Sequence, residues 1–504
     1  MKSSRREFLG GLCKTTIGVS VGFALANRLG FAYALPPLAL ERLRFGALDP
    51  LVDLMQATPA DALLPIVAAK LKSGTPLADI VAAAALANAR GYGGTNYNGY
   101  HTLMAMMPSY EMAAQMPAGQ TALPVLKVLH RNARLLQETD HATKDELTPL
   151  EGGASDAGFV ESVHARDLDK SERSLAALQQ RSPLQAYEEL QSVVRDEMNV
   201  HRVVLAWRAY DLLRLTGEDQ RFSMLRQSVR FCIDEDGQQA SRGRYPNEFR
   251  ALLPELMEKH GLNARERGNR AADEATIERL AAAFFAQDRA AAADAAAEAL
   301  AAGIDPEDVG KALSLASARL LLHDGGQTKE SLGKPIGSVH GASTGVHASD
   351  AANAWKHIAR VGSAHNAFAS VIAGAYHTAG QSAQVGGLPF DHDAEPCTKS
   401  EPAVLLDEVS ARIRARDQKG ACAAARRYCE LGHPAASLFA QLLPFAVSED
   451  GALHAEKFFR TAQEEHASAH ARHRALYPVV LARVMASHYG FPAPGVEEAR
   501  KLLA

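Results

Sequence analysis

Histidines at the starts of helix-forming stretches are the residues of this chain with the most chemistry to offer. "NGYHTLMAMMPSYEMA" at 98–113 carries His101, and "TGVHASDAANAWKHIA" at 344–359 carries His347 in the same arrangement. Further histidines recur at matched places along the chain: His130 with His377, His141 with His392, and His201 with His433. Neutral imidazole is a common ligand for zinc, iron and copper, and ligands on facing helices converge at the centre of a bundle. The same ring titrates near neutral pH, so it also serves as a general acid or base. The competing explanation is packing, in which each ring bonds a local carbonyl and fills a polar hole. If His101 faces His130 across a helical hairpin, His347 and His377 do the same, giving either two similar sites or one shared site.

Other clusters carry less. In "EEHASAHARHRALY" (464–477), His466, His470 and His473 fall at i, i+4 and i+7 of a helix, on a face whose flanking charges read as solvated. Glu430 and His433 have the Glu-x-x-His spacing of carboxylate-bridged di-iron bundles, as do Glu161 and His164. His201 breaks that pattern, because Glu197 lies four residues before it. There is no Cys-x-x-Cys-His, no Gly-x-Ser-x-Gly elbow and no Walker phosphate loop.

The elements that must position these rings are helices. The 504-residue chain is rich in alanine and only 6% aromatic, and its apolar residues recur at helical spacing. Residues 278–303 and 188–217 each read as one long helical stretch. "SGTPLADIVAAAALANAR" (73–90) matches "AGIDPEDVGKALSLASAR" (302–319) at seven of eighteen positions, and His101 then matches His347. The expected architecture is all-α, with two tandem, internally duplicated helical bundles at 48–260 and 275–495 related by a pseudo-twofold axis.

Ser4, Arg5, Arg6, Phe8 and Leu9 fit the twin-arginine export pattern, ahead of a weakly apolar stretch and the small-residue site ending at Ala34. Residues 1–34 are therefore expected to be a cleaved signal, leaving a periplasmic chain whose export partner is the twin-arginine machinery. That route carries chains already folded, often around a cofactor. A net charge of −4 with both signs interspersed offers no basic stripe for nucleic acid, and no later apolar run is long enough to span a membrane. Four cysteines after the signal are too few to form a disulfide framework.

"GYHTLMA" and "GVHASDAANA" are similar to helices of questin-oxidase-like proteins. The resemblance covers those two short stretches and implies oxygen chemistry. Together the residues point to a metal-dependent oxidoreductase acting on a small molecule, with iron ahead of zinc and noncovalent heme as an alternative cofactor. The expected ligands are His101, His130, His347 and His377, then His201 and His433. His101 and His347 are also the candidate acid and base, with Tyr100 beside them to donate a hydrogen bond. Two other functions fit the same residues: a metal-free lyase or hydrolase using histidine as acid and base, or a noncatalytic ligand-binding scaffold.

Overall fold

The computed structural model describes residues 43–91, 96–138, 149–150, 155–330, 334–339, 343–385 and 397–504. The signal segment 1–34 and the pair His141 and His392 lie outside the described residues. The described chain is all-helical, as expected from its periodicity. Outside the helices it forms only two isolated bridges, Arg270 with Ile304 and Glu449 with Pro492. Among the described residues no helix is long and apolar enough to cross a membrane. Residues Arg44–Ala504 pack as one compact unit.

Two stretches read as single helices are each broken. Residues 278–303 divide into Glu274–Phe285 and Arg289–Ala301, because Gln287 takes φ +36° and Asp288 caps the second helix by accepting from the Ala291 N–H. Alanine supplies helix propensity on both sides, and the capping aspartate sets the break. Residues 188–217 divide at Asn199, whose side chain accepts from the His201 N–H and starts a new helix.

Four helices form the centre: α1 (Tyr97–Ala113), α2 (Val200–Asp211), α3 (Thr344–Val361) and α4 (His454–Ser468). Each packs on two of the others, in the order α1, α2, α3, α4 and back to α1. Contacts at both ends show that all four run the same way. Their first turns meet through His101, His201, His347 and His454, and farther along they meet through Glu111, Asp211, His357, Arg460 and Glu464. Such an all-parallel arrangement requires long crossovers, and the surrounding helices supply them.

Small residues bring these helices close. The helix Leu77–Gly91, buried from Ile80 onward, packs on α1. A Cβ on Gly345 would lie 2.6 Å from Leu321 Cδ1 and 2.7 Å from Leu321 Cα, so only glycine lets α3 lie this tightly against the helix Pro306–His323. Packing also crosses between the two long stretches of chain. The helix Phe249–Lys259 packs on Arg289–Ala301 and Ala364–Ser382, while Val496–Leu503 packs on Ala60–Lys72 and Leu123–Glu138.

Candidate metal centre

Each central histidine is aimed by its helix start. For α1, the Asn96 side chain accepts from the Gly99 N–H at 3.0 Å, and the buried Asn88 amide donates to the Gly99 carbonyl at 3.0 Å and to Asn132 at 2.9 Å. For α3, Ser343 caps the Val346 N–H and Asp324 accepts from the Gly345 N–H at 2.8 Å. For α4, Ala452 and Leu453 take φ +51° and +65°, a left-handed pair without glycine. That conformation is costly for side chains bearing a Cβ and persists where the surroundings impose it. Here Lys127 donates to the carbonyls of Ala446 and Glu449, and Arg131 and Lys334 hold Asp450. The strained turn is what points His454 inward.

The four rings form a near-square. Centroids are 4.9 Å apart for His101 and His201, 5.2 Å for His201 and His347, 5.0 Å for His347 and His454, and 4.8 Å for His454 and His101. The His201–His454 diagonal is 6.5 Å. His454 Nε2 lies 3.3 Å from His101 Nε2 and 3.0 Å from His347 Nε2. One ligand nitrogen from each of His101, His201 and His454 falls within 4.8 Å of the others. His101 and His454 are buried, whereas His201 and His347 are half-buried, so the cluster is open on their side.

The tautomers follow from the partners. His101 Nδ1 lies 2.9 Å from the Tyr97 carbonyl and His454 Nδ1 lies 3.2 Å from the Gly451 carbonyl. A carbonyl only accepts, so both Nδ1 atoms carry their protons. In the neutral rings both Nε2 atoms are then bare lone pairs facing each other at 3.3 Å. His201 Nε2 is likewise buried without a hydrogen-bond partner. A cation between the nitrogens would relieve this arrangement. A metal with bonds of ~2.0–2.1 Å sets neighbouring ligand nitrogens ~2.9 Å apart at right angles and ~3.3 Å apart in a tetrahedron.

A proton is a poor candidate for that cation. Burial, followed by the Lys457 ammonium, holds His101 and His454 well below their ordinary value. Burial, then His347 and Lys457, does the same to His201, while burial and Lys457 push His347 down to about 3. In the unfolded chain these rings titrate near 6.5. Below that pH the unfolded state takes up protons the folded state refuses, so stability is full above about 6.5 and is lost as pH falls below it, in the case of His347 toward about 3. The melting temperature of metal-free protein is therefore expected to be level from pH 7 to 8 and to fall steadily below about pH 6.5. A melting temperature that stays level down to pH 4 would contradict four neutral rings held below their ordinary value.

His101, His201 and His347 thus come together, and three other expected ligands do not join them. His130 lies under the start of Val496–Leu503, where a Cβ on Gly495 would lie 2.8 Å from its ring. His377 accepts from Trp355 Nε1 at 3.4 Å and is held to about 3 by burial. His433 bonds the Ser400 carbonyl at 3.0 Å and packs on Tyr428. The hairpin pairing fails for His130 because its ring turns toward the start of Val496–Leu503, while the His377 ring is taken up by Trp355, eight residues along α3 from His347. His466, His470 and His473 share no helix face, since α4 ends at Ser468, with Ala469 extended; His470 and His473 face Glu274 and Glu278 instead. Tyr100 is where expected, its ring 4.5 Å from His101 and 5.0 Å from His201, and burial raises it to about 12 so that it keeps its proton. Tyr97 stacks on His101 at 3.9 Å.

Sequence reading missed His454. Its signal was the one that singled out His101 and His347, a histidine in the first turn of a helix. His433 hid it by offering a nearer match to His201.

Below the imidazoles the bundle interior is polar. Lys457 Nζ lies 3.7 Å from Asp350 Oδ2, and Thr461 donates to Asp350 Oδ1 at 3.1 Å. Next, Asn353 donates to Glu464 and Glu465 at 2.9 and 2.7 Å. At the far end Arg460 meets Glu111, Asp211 and Glu464 at 2.8, 2.6 and 2.7 Å. A cavity of about 810 Å³ opens there, lined by Trp207, Tyr210, His357 and Arg360 among others. His357 is ten residues along α3 from His347, about 15 Å, so this cavity is separate from the imidazoles.

Comparison with known proteins returns no match to any family model, curated protein or solved structure.

Proposed function

We propose that this chain is a metal-dependent oxidoreductase acting on a small molecule, with one ion, iron, held by His101, His201, His347 and His454. The observation that carries the reading is the pair of buried, proton-free Nε2 atoms 3.3 Å apart on His101 and His454. Imidazole-only sites suit iron, copper, nickel and zinc. Iron is favoured here by the resemblance of the His101 and His347 helices to questin-oxidase-like proteins, which implies oxygen chemistry. Tyr100, protonated at neutral pH beside two of the ligands, is placed to donate a hydrogen bond to a reacting oxygen. The half-buried side at His201 and His347 is the way in for substrate.

The proposal includes export after folding through the twin-arginine route, with cleavage near Ala34, so that the metal enters before the chain leaves the cytoplasm. It also keeps the duplication in a corrected register, pairing α1 with α3 and α2 with α4, so that His454 rather than His433 answers to His201.

The test is to purify the chain from the periplasm, sequence its N-terminus, and record metal content with a visible spectrum. About one iron per chain and a mature start just after Ala34 are expected. Zinc alone would leave the centre standing and remove the redox reading, and a Soret band would replace the ion with heme. A chain that takes up no iron, copper or zinc would move the histidines to metal-free acid and base work.

A further inference from the structure

The ligand set is unusual in its charge. All four ligands are neutral, and no carboxylate joins them among the described residues. The nearby carboxylates are already engaged: Glu456 by Lys127 at 2.6 Å, Asp450 by Arg131 at 2.6 Å, and Glu235 by Arg202 at 3.3 Å with Asn199 at 2.6 Å. A positive side chain, Lys457, stands one turn along α4 from His454. It is buried, and its counterion Asp350 stands back at 3.7 Å. Each of the four helices also starts within a few residues of its histidine, so four positive helix ends face the same point.

A buried ammonium and four helix N-termini oppose the full charge of a metal ion held there. Coordination to four nitrogens overcomes that opposition, but the loaded centre keeps a net positive charge in a largely buried place. An anion relieves it; a neutral ligand does not. We propose that the ion at this centre takes an anionic oxygen donor, a carboxylate or phenolate of the substrate, as its exchangeable ligand, with Lys457 as the residue that selects for the negative charge. This rests on the metal centre proposed above, and the same buried cation gives Lys457 a function that packing alone would not require.

The full chain loaded with cobalt(II) provides a visible spectrum for the test, with azide and acetate as anionic probes and imidazole as a neutral one. Azide and acetate are expected to shift the spectrum, with azide binding more tightly than imidazole. Lys457→Met should weaken azide about tenfold or more and leave imidazole unchanged, as expected for removal of one nearby charge in a partly buried site. Lys457→Arg should retain the preference, and Asp350→Asn, which frees the ammonium of its counterion, should tighten azide. If Lys457→Met does not fold, Asp350→Asn still decides the matter. Azide affinity that is indifferent to these variants, or no better than that of imidazole, overturns the inference. Cobalt content measured in the same samples separates the two proposals: a chain that binds no cobalt sinks the centre itself, whereas bound cobalt that ignores azide sinks only the anion preference.

Discussion

Replacing His454 with alanine is expected to empty the centre, lowering metal from about one ion per chain to less than about a tenth. His454 is the ring that touches two others through one nitrogen, at 3.3 Å to His101 and 3.0 Å to His347. Losing an outer partner of a ligand already costs ~10–100-fold in affinity, and losing a ligand costs more. Metal content after dialysis is the measurement, with His433→Ala and His130→Ala as controls expected to keep their ion. A second readout separates ligation from packing. In metal-free protein, removing His454 removes the facing lone pairs, so the apo melting temperature should hold or rise, whereas added metal should no longer raise it. A histidine that only filled space would behave in the opposite way: its loss would lower the apo melting temperature.

Replacing Arg460 with methionine is expected to give the largest loss of stability, about 3 kcal/mol, because it takes the shared cation from buried Asp211 and from half-buried Glu111 and Glu464. Arg460 is 5% exposed and bridges Glu111 on α1, Asp211 on α2 and Glu464 on its own helix. Glu111 and Asp211 retain Arg214 at 2.8 and 3.2 Å and Glu464 retains His357 at 3.0 Å, so the loss stays below that of three orphaned charges. A denaturant midpoint shifted at unchanged slope is the expected result. Metal content should stay near one ion per chain, since Arg460 acts at the far end of the bundle. Loss of the ion without loss of stability would mean that the two ends are coupled in a way this packing does not provide.

Much of this molecule was legible before its coordinates. Helical periodicity and the alanine-rich stretches mark the helical class by local chemistry alone. His101 and His347 stood out because each opens a helix in a similar stretch, and both sit in the cluster. The breaks at Gln287 and at Asn199 were harder to see, since each turns on a single capping residue inside a run that otherwise favours helix. His130 and His377 misled because a helical hairpin leaves open which side chain of the partner helix a ring meets: His130 lies under Gly495, and His377 meets Trp355 of α3.

Local pattern, then, dictated the helical class, most helix starts and the presence of histidines in their first turns, because capping and periodicity act over a few residues. The meeting of four such starts was a matter of tertiary packing alone. It depends on helices from residues 97, 200, 344 and 454 running parallel in a closed ring, on Gly345 admitting Leu321, and on a left-handed turn at Ala452 and Leu453. Those conditions join residues as much as 353 positions apart, such as His101 and His454. No spacing along the chain encodes that distance, so the fourth histidine of the cluster became visible only once the helices were packed.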